Sequence, residues 1–184
     1  MQISATLLAL LLAASAHASP PEAGDDIDKL TTDKGLLAQI DQVRHSVGEK
    51  ASALVVNAMG FLGVPYKRGG NTAESGFDCS GFVKAMYEQT VGLILPRKAS
   101  QQAAATQKID RADLQPGDLV FFNTMRHAFS HVGIYIGEGK FIHSPRPGAE
   151  VRVESMTLSY WKHRFDGARR VHVVAAEAAA AQAN

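Results

Sequence analysis

The chain has 184 residues, 46% of them hydrophobic, and its 19 Lys and Arg against 18 Asp and Glu give a formal charge of +1. That balance leaves no basic footprint for nucleic acid or for an anionic membrane surface, so charge selects no partner. The length suits one domain of ordinary size with a proper core, and a second full domain is not expected.

In chain order, a targeting segment and a leader come first. MQISATLLALLLAASAHASP is apolar from Ile3 to Ala14 and then small, with Ala16-His17-Ala18 in the A-x-A pattern that signal peptidase cuts. Residues 1–18 therefore read as a secretory signal peptide, although the stretch lacks Lys and Arg and its positive charge would come from the amino terminus alone. The apolar run is shorter than the ~20 residues a helix needs to cross a bilayer, and nothing later approaches that length, so no integral membrane segment is expected. No cysteine near the cleavage site is available to carry a lipid. SPPEAGDDIDKLTTDK, residues 19–34, is polar and aperiodic and reads as flexible. The leader as a whole, residues 19–48, holds one short helix, with Leu36, Leu37, Ile40 and Val43 at helical spacing.

From residue 49 a folded domain is expected to run to residue 172. A helical run covers about Glu49 to Leu62, with Leu54, Val55, Ala58, Met59 and Leu62 on one stripe, and Gly63-Val64-Pro65 stops it. The glycine-rich loop YKRGGNTAESG leads into FDCSGFV, and a third helix is expected from Cys79 to about Gln89. After Leu95-Pro96, RKASQQAAATQ reads as a short helix or ordered loop. Asp118-Leu-Val-Phe-Phe122, His131-Val-Gly-Ile-Tyr-Ile136 and Lys140-Phe-Ile-His143 are short β-branched and aromatic runs, as strands are. Helices followed by an antiparallel sheet make an α+β order. Residues 173–184 form a low-complexity tail, expected to fray.

Cys79 is the only cysteine. In an oxidising compartment it cannot form an intramolecular disulfide, so on its own it is either a small buried apolar residue or a reactive thiol. Its neighbours favour the second. Asp78 suits an N-cap, which makes Cys79 the first helical residue, and Phe77 and Phe82 then have the spacing of a hydrophobic staple. Cys79, Phe82, Val83, Met86 and Tyr87 share the core-facing stripe. A thiol at a helix amino terminus feels the positive end of the macrodipole, and the unpaired N–H groups there can stabilise an oxyanion. Small Ser80 and Gly81 leave room for a substrate carbonyl, and Gly81 also suits close packing against a strand.

A nucleophilic thiol needs a base, usually histidine, and a group that orients it. Of His45, His127, His131, His143, His163 and His172, only His131 and His143 lie in predicted strands, and they flank one hairpin, HVGIYIGEGKFIHS. A two-residue turn at 138–139 would send them to opposite faces, whereas the three-residue turn Gly137-Glu138-Gly139 puts them on one face. Gly139 suits the left-handed position that such a turn with a bulge requires. Cys79 would then be the nucleophile, His131 the base and His143 the residue that orients it. A rival arrangement uses the same three residues as zinc ligands, but no C-x-x-C or H-x-x-x-H pair is present and no fourth ligand is nominated.

Several spaced motifs resemble, in order over about residues 50–172, those of the NlpC-type cell-wall peptidases, bacterial papain-like cysteine endopeptidases. They are Val64-Pro-Tyr66 with Gly69-Gly70, Asp78-Cys-Ser-Gly-Phe82, Leu95-Pro-Arg97, Gln102, the stretch LQPGDLVFF from Leu114 to Phe122, His131-Val-Gly-Ile-Tyr-Ile-Gly137 and Phe141-Ile-His143. The resemblance implies a papain-like α+β fold with the nucleophile at a helix N-terminus packed on a central antiparallel sheet, and a Cys79-His131-His143 triad. It implies hydrolysis of peptidoglycan stem peptides, typically between γ-linked D-glutamate and meso-diaminopimelate, by an exported monomer without metal or organic cofactor. It also implies that Tyr66 lines the site near the oxyanion and that Asp78, Ser80 and Arg97 contact substrate. The chain departs from the pattern at Arg68, where many members carry tryptophan, which bears on the groove wall and substrate preference. No wall-binding module and no particular regulatory or adaptor partner is recognisable. Two other activities fit the same residues: an amidase or acyltransferase using the Cys-His-His site, and a non-hydrolytic peptidoglycan-binding or scaffold protein.

Overall fold

A computed structural model describes the backbone of residues 24–172 and the side chains of residues 35–172. The segment read as a signal peptide and the tail from residue 173 lie outside the described residues. The helices are α1 (Gly24–Met59), α2 (Cys79–Val91), α3 (Ala99–Ala104) and α4 (Ser159–Lys162). The strands are β1 (Asn71–Thr72), β2 (Gly76–Phe77), β3 (Gln107–Ile109), β4 (Leu119–Phe122), β5 (His131–Gly137), β6 (Lys140–His143), β7 (Arg152–Ser155) and β8 (Phe165–Arg170). Two compact units divide within α1, one ending at Ile40 and the other beginning at Asp41. No described helix is long and apolar enough to cross a membrane.

The first correction concerns α1. Periodicity suggests a flexible leader, a short helix and then a separate helix, but the chain is one helix from Gly24 to Met59. Gly35 and Gly48 in the helix interior each cost only about 1 kcal/mol relative to alanine, and no proline interrupts the segment, so nothing in it breaks the ladder. The apolar positions divide by fate. Leu54 and Ala58 enter the core, whereas Leu36, Leu37, Ile40, Val43, Met59 and Leu62 are exposed.

β3-β8-β4-β5-β6-β7 is the order of a six-stranded, wholly antiparallel sheet, and β1 and β2 form a separate ribbon before α2. Alternation along the strands gives the sheet two apolar faces. Leu119, Phe121, Val132, Ile134 and Ile142 join the main core with Phe82, Val83 and Met86 of α2. Val120, Phe122 and Phe141 form a second cluster with Met156 and Trp161. Phe77, Phe82, Phe121, Phe122 and Phe141 are fully buried, and each contributes on the order of 2 to 3 kcal/mol relative to exposure.

α2 begins and ends on identifiable signals. Asp78 is extended and its carboxylate accepts the Gly81 N–H at 2.7 Å, while the Phe77 and Phe82 rings meet edge to face at 5.6 Å, as a capped and stapled start requires. At the other end Gly92 takes the left-handed conformation and its N–H reaches back to the Glu88 and Tyr87 carbonyls, which carries the helix to Val91 rather than Gln89.

The β5–β6 hairpin differs in detail from expectation. Its turn has two residues, Glu138 and Gly139, both at positive φ, and a register shift between Tyr135 and Gly137 compensates. Away from the turn Ile134 faces Ile142 and Tyr135 faces Phe141, so the bulge restores the parity that a three-residue turn would have given.

Three strands of the sheet, β3, β7 and β8, are not evident from composition. β8 reads FDGARR, yet it lies between β3 and β4 because each charge has a partner. Arg170 makes two bonds to Asp118 at 2.8 and 2.7 Å, Arg169 donates to the Ala103 carbonyl at 3.1 Å, and Asp166 accepts the Phe129 N–H at 2.6 Å.

Gly81 packs against a loop carbonyl rather than against a strand. A Cβ there would lie 2.1 Å from the Gly70 oxygen, whose carbonyl also accepts the Asp78 N–H. Gly81→Ala is expected to destabilise the fold by about 2 kcal/mol or more, an overpacking cost, read as a lower urea midpoint. An unchanged midpoint would mean that the loop moves aside freely.

Candidate active site

The site is assembled where the start of α2 meets the ends of β5 and β6. One hydrogen bond and one close approach tie these elements. Buried Ser144, next to His143, donates to the Phe77 carbonyl at 2.7 Å, just before the helix cap. The Val132 N–H, next to His131, lies near enough to the Cys79 sulfur to favour its charged form, as do the N–H groups of Ser80 and Cys79 itself. The thiol is thus brought to the residue following His131. The cap carboxylate occupies the Gly81 N–H.

His131 and His143 share a face of the sheet, as the chemistry inferred from sequence requires. His131 Nε2 and His143 Nδ1 are 2.7 Å apart, and both rings are buried. Trp161 covers them: it stacks on His131 with centroids 5.5 Å apart and meets His143 edge to face at 5.1 Å. Beyond His143 lies Glu154, whose carboxylate approaches His143 Nε2 at 3.4 Å, accepts the Trp161 indole N–H and pairs with Arg152 at 2.6 Å. His143 and Arg152 are directly paired across β6 and β7, so Glu154, two residues on, occupies the diagonal position on the same face. Trp161, Ser144 and Glu154 went unnoticed in the sequence. Only the Trp161 signal, a lone tryptophan near an aromatic-rich sheet, was there to find.

Burial dominates the electrostatics of the thiol. It pushes Cys79 up to about 11, the negative charge of Asp78 adds to this, and the three N–H groups only partly offset it. The helix terminus therefore does not by itself produce a thiolate, contrary to the bias expected from placement. Burial first, then the neighbouring His143, lowers His131 well below the ordinary histidine range, with Glu154 opposing. His143 is also lowered by burial, against the pull of Glu154. Contact with His143 holds Glu154 down to about 2, helped by Trp161 and Arg152. At neutral pH the site therefore holds a neutral thiol and two neutral imidazoles beside a carboxylate.

The remaining predicted residues form one network at the cap. Arg97 grips Asp78 with two bonds of 2.9 and 2.6 Å and donates to Ser80 Oγ at 3.1 Å, and the Gly69 N–H adds a bond of 2.9 Å to the same carboxylate. Gln102, fully buried, donates to the Ser80 and Pro96 carbonyls at 3.0 and 2.9 Å, anchoring α3 to the start of α2. Much of the bonding capacity of Asp78 and Ser80 is thus spent inside the protein, while Arg97 keeps 38% of its side chain exposed. Tyr66 is half-buried, and its hydroxyl is raised by burial and then by the charges of Cys79 and Asp78, which puts it in their field. Arg68, exposed, acts on Tyr66 in the opposite sense. Among the described residues no group of three His, Cys, Asp or Glu is arranged to hold a metal. Two ring nitrogens 2.7 Å apart and bonded to each other leave no space for a shared zinc.

A model of the NlpC/P60 family matches residues 63–170. The murein DD-endopeptidase MepH of Escherichia coli (strain K12) is 42% identical over 127 residues, 67% of this chain and 47% of that protein. The gamma-DL-glutamyl hydrolase of Bacillus subtilis (strain 168) is 42% identical over 118 residues, 64% of this chain and 28% of that one. The crystal structure of an NlpC/P60 family protein from Bacillus cereus ATCC 10987 aligns with a TM-score of 0.61 at 36% identity, covering 65% of this chain and 39% of that one. The chain spans less than half the length of these two curated relatives.

Alkylation of Cys79 by iodoacetamide is expected to accelerate steadily from about pH 7 to about pH 10, as for a thiol titrating near 11. A rate that levels off in the acid range would mean a preformed thiolate. Acid stability follows from the same burial. The two histidines bind protons less readily folded than unfolded, so stability falls as pH drops below 6.5, and Glu154 adds a loss between 4.5 and about 2. Urea midpoints should decline from neutral pH downward, and constant midpoints between about pH 7 and about pH 5 would mean that the histidines charge freely in the folded state.

Proposed function

The chain belongs to the NlpC/P60 family and has its papain-like α+β fold, and from this premise we propose that it is a cysteine endopeptidase that hydrolyses peptidoglycan stem peptides. The observation that carries this reading is the 2.7 Å bond between His131 and His143, placed one residue from the Val132 N–H that lies near the Cys79 sulfur.

The mechanism starts from neutral partners. The Cys79 proton moves to Nδ1 of His131, the ring nitrogen not engaged with His143, as the sulfur attacks the scissile carbonyl carbon. The negative charge that develops on the carbonyl oxygen is met by the Cys79 and Ser80 N–H groups at the start of α2. His131 then gives the proton to the leaving nitrogen, the C–N bond breaks, and an acyl thioester remains on Cys79. Water, losing a proton to His131, attacks that thioester, the carboxylic acid departs and the thiol is restored. Among the groups that face the substrate we include Tyr66, near the oxyanion, and the network of Asp78, Ser80 and Arg97, of which Arg97 offers the most exposed surface.

The bond we assign is that between γ-D-glutamate and meso-diaminopimelate or one close to it. A second reading has specific support: the relatives that match at 42% identity include both a gamma-DL-glutamyl hydrolase and a DD-endopeptidase, so a D,D cross-link is the alternative target. Export to the periplasm or cell wall is part of the proposal, supported by the signal-like residues 1–18 and by the murein-directed relative. No cofactor is invoked, and the protein is expected to act as a monomer.

Purified protein incubated with peptidoglycan and with defined D,L- and D,D-linked stem peptides, with products identified by mass, tests the assignment. Cys79→Ala and His131→Ala should each lower the rate by about a thousandfold or more, and chelators should leave it unchanged. Survival of activity in Cys79→Ala would contradict the mechanism, and loss with a chelator restored by zinc would favour a metal site. Transfer of the acyl group to an added amine in preference to water would identify an acyltransferase. Binding to the polymer without any product would identify a scaffold.

A further inference from the structure

Glu154 stands outside the residues whose types and spacing point to cysteine peptidase chemistry, yet it ends a line of polar groups that runs from His131 through His143. Its carboxylate is held on three sides. Arg152 pairs with it at 2.6 Å, the Trp161 indole donates to it, and His143 Nε2 lies 3.4 Å away, within ion-pair range though long for an aligned hydrogen bond. Arg152 and Glu154 lie on β7 and Trp161 lies on α4, so two elements fix the position of the acid.

The ring protons follow from chemistry. An ionised carboxylate only accepts, so the nitrogen that faces it, His143 Nε2, carries a hydrogen. A neutral imidazole has one N–H, so His143 Nδ1 presents a lone pair. The hydrogen in the 2.7 Å bond to His131 must then sit on His131 Nε2. His131 Nδ1 is left with its lone pair, free to take the thiol proton. Without an acceptor beyond it, His143 could carry its hydrogen on Nδ1, donate to His131 Nε2 and force the hydrogen of His131 onto Nδ1, the tautomer that cannot act as the base. A third histidine alone therefore leaves the proton pattern two-fold ambiguous, and a carboxylate resolves it.

We propose that Glu154 is a positioning residue for the proton relay: through His143 it fixes the tautomer of His131 and, by its charge, supports the imidazolium that forms when Cys79 gives up its proton. The charged and titratable groups facing this relay are Arg152, Glu154, His143, His131, Cys79 and Asp78. Glu154 and Arg152 act on it with opposite signs. The carboxylate raises the proton affinity of both histidines, and the guanidinium lowers that of His143. This role rests on the Cys-His chemistry proposed above, but it does not depend on which stem-peptide bond is cut.

The test uses the full protein with Glu154→Gln, Glu154→Ala and Arg152→Met, each checked for folding by circular dichroism and thermal melting. Two measurements are made: kcat and KM on a cleaved stem peptide as a function of pH, and the rate of Cys79 alkylation by iodoacetamide at neutral pH, which needs no substrate. In Glu154→Gln, kcat should fall roughly tenfold with KM little changed, the acid limb of kcat/KM should move to lower pH, and alkylation should slow. Glu154→Ala, which also removes the acceptor, should lose more activity than Glu154→Gln. Arg152→Met should move the acid limb to higher pH, and this opposite shift carries the test if the Glu154 variants do not fold. Folded variants whose acid limbs and alkylation rates match wild type, with stem peptides still cleaved by wild type, would overturn the role of Glu154 and leave the peptidase reading intact. A wild type that cleaves no stem peptide, while alkylation still responds to Glu154 and Arg152 as described, would overturn the substrate reading and uphold the relay.

Discussion

A single hydrogen bond, His131 Nε2 to His143 Nδ1 at 2.7 Å, sets the terms for the rest of the fold. It exists only if two residues twelve positions apart on adjacent strands share a face, and a slip of one residue would send one of them through the sheet. The Glu138-Gly139 turn alone would cause that slip. The bulge between Tyr135 and Gly137 cancels it, at the cost of an irregular strand and a non-glycine residue at positive φ. The other elements serve the same bond. Trp161 closes over both rings, Ser144 ties the end of β6 to the entrance of α2, and the Val132 N–H lies near the sulfur, one residue from His131.

Burial explains why the site is built as a relay. A thiol at a helix N-terminus is commonly expected to be acidic, and the N–H groups around Cys79 do pull in that direction, but removal from water outweighs them and leaves the resting thiol neutral. The same removal from water keeps both imidazoles uncharged. An ion pair would be expensive to hold at rest in such a place. In the proposed mechanism charge separation is deferred to the moment of attack, when the oxyanion position at the helix end and the carboxylate beyond His143 can each meet one of the charges formed. The cap network serves this economy differently. Arg97 neutralises Asp78, which would otherwise push the thiol still further from ionisation.

Much of this was legible in the chain itself. Asp78 as cap, the Phe77–Phe82 staple, the start of α2 at Cys79 and the three strands rich in β-branched and aromatic residues all follow from local rules of spacing and side-chain shape. The shared face of the two histidines was also legible, although by a different turn from the one found, because parity survives any pairing of turn and bulge that preserves the count. What stayed hidden was non-local. β8 looks like a charged loop until Asp118, Ala103 and Phe129 are seen to satisfy it. Glu154 looks like one more surface acid in VRVES until the β6–β7 register sets it diagonally from His143. The continuity of α1 was hidden for the opposite reason: a weakly patterned stretch with two interior glycines, Gly35 and Gly48, reads as interrupted, although nothing in it is strong enough to end a helix.

The central claim is that one carboxylate-ended line of polar contacts through His143 turns the lone pair of His131 Nδ1 toward Cys79. Nitrogen NMR of ring-labelled histidines in the resting protein at neutral pH reports this directly, because the two nitrogens of each neutral ring resonate apart according to which one carries the hydrogen. The account predicts both His131 and His143 neutral with their hydrogens on Nε2. A hydrogen on Nδ1 of His131, or an imidazolium at either position, would contradict it.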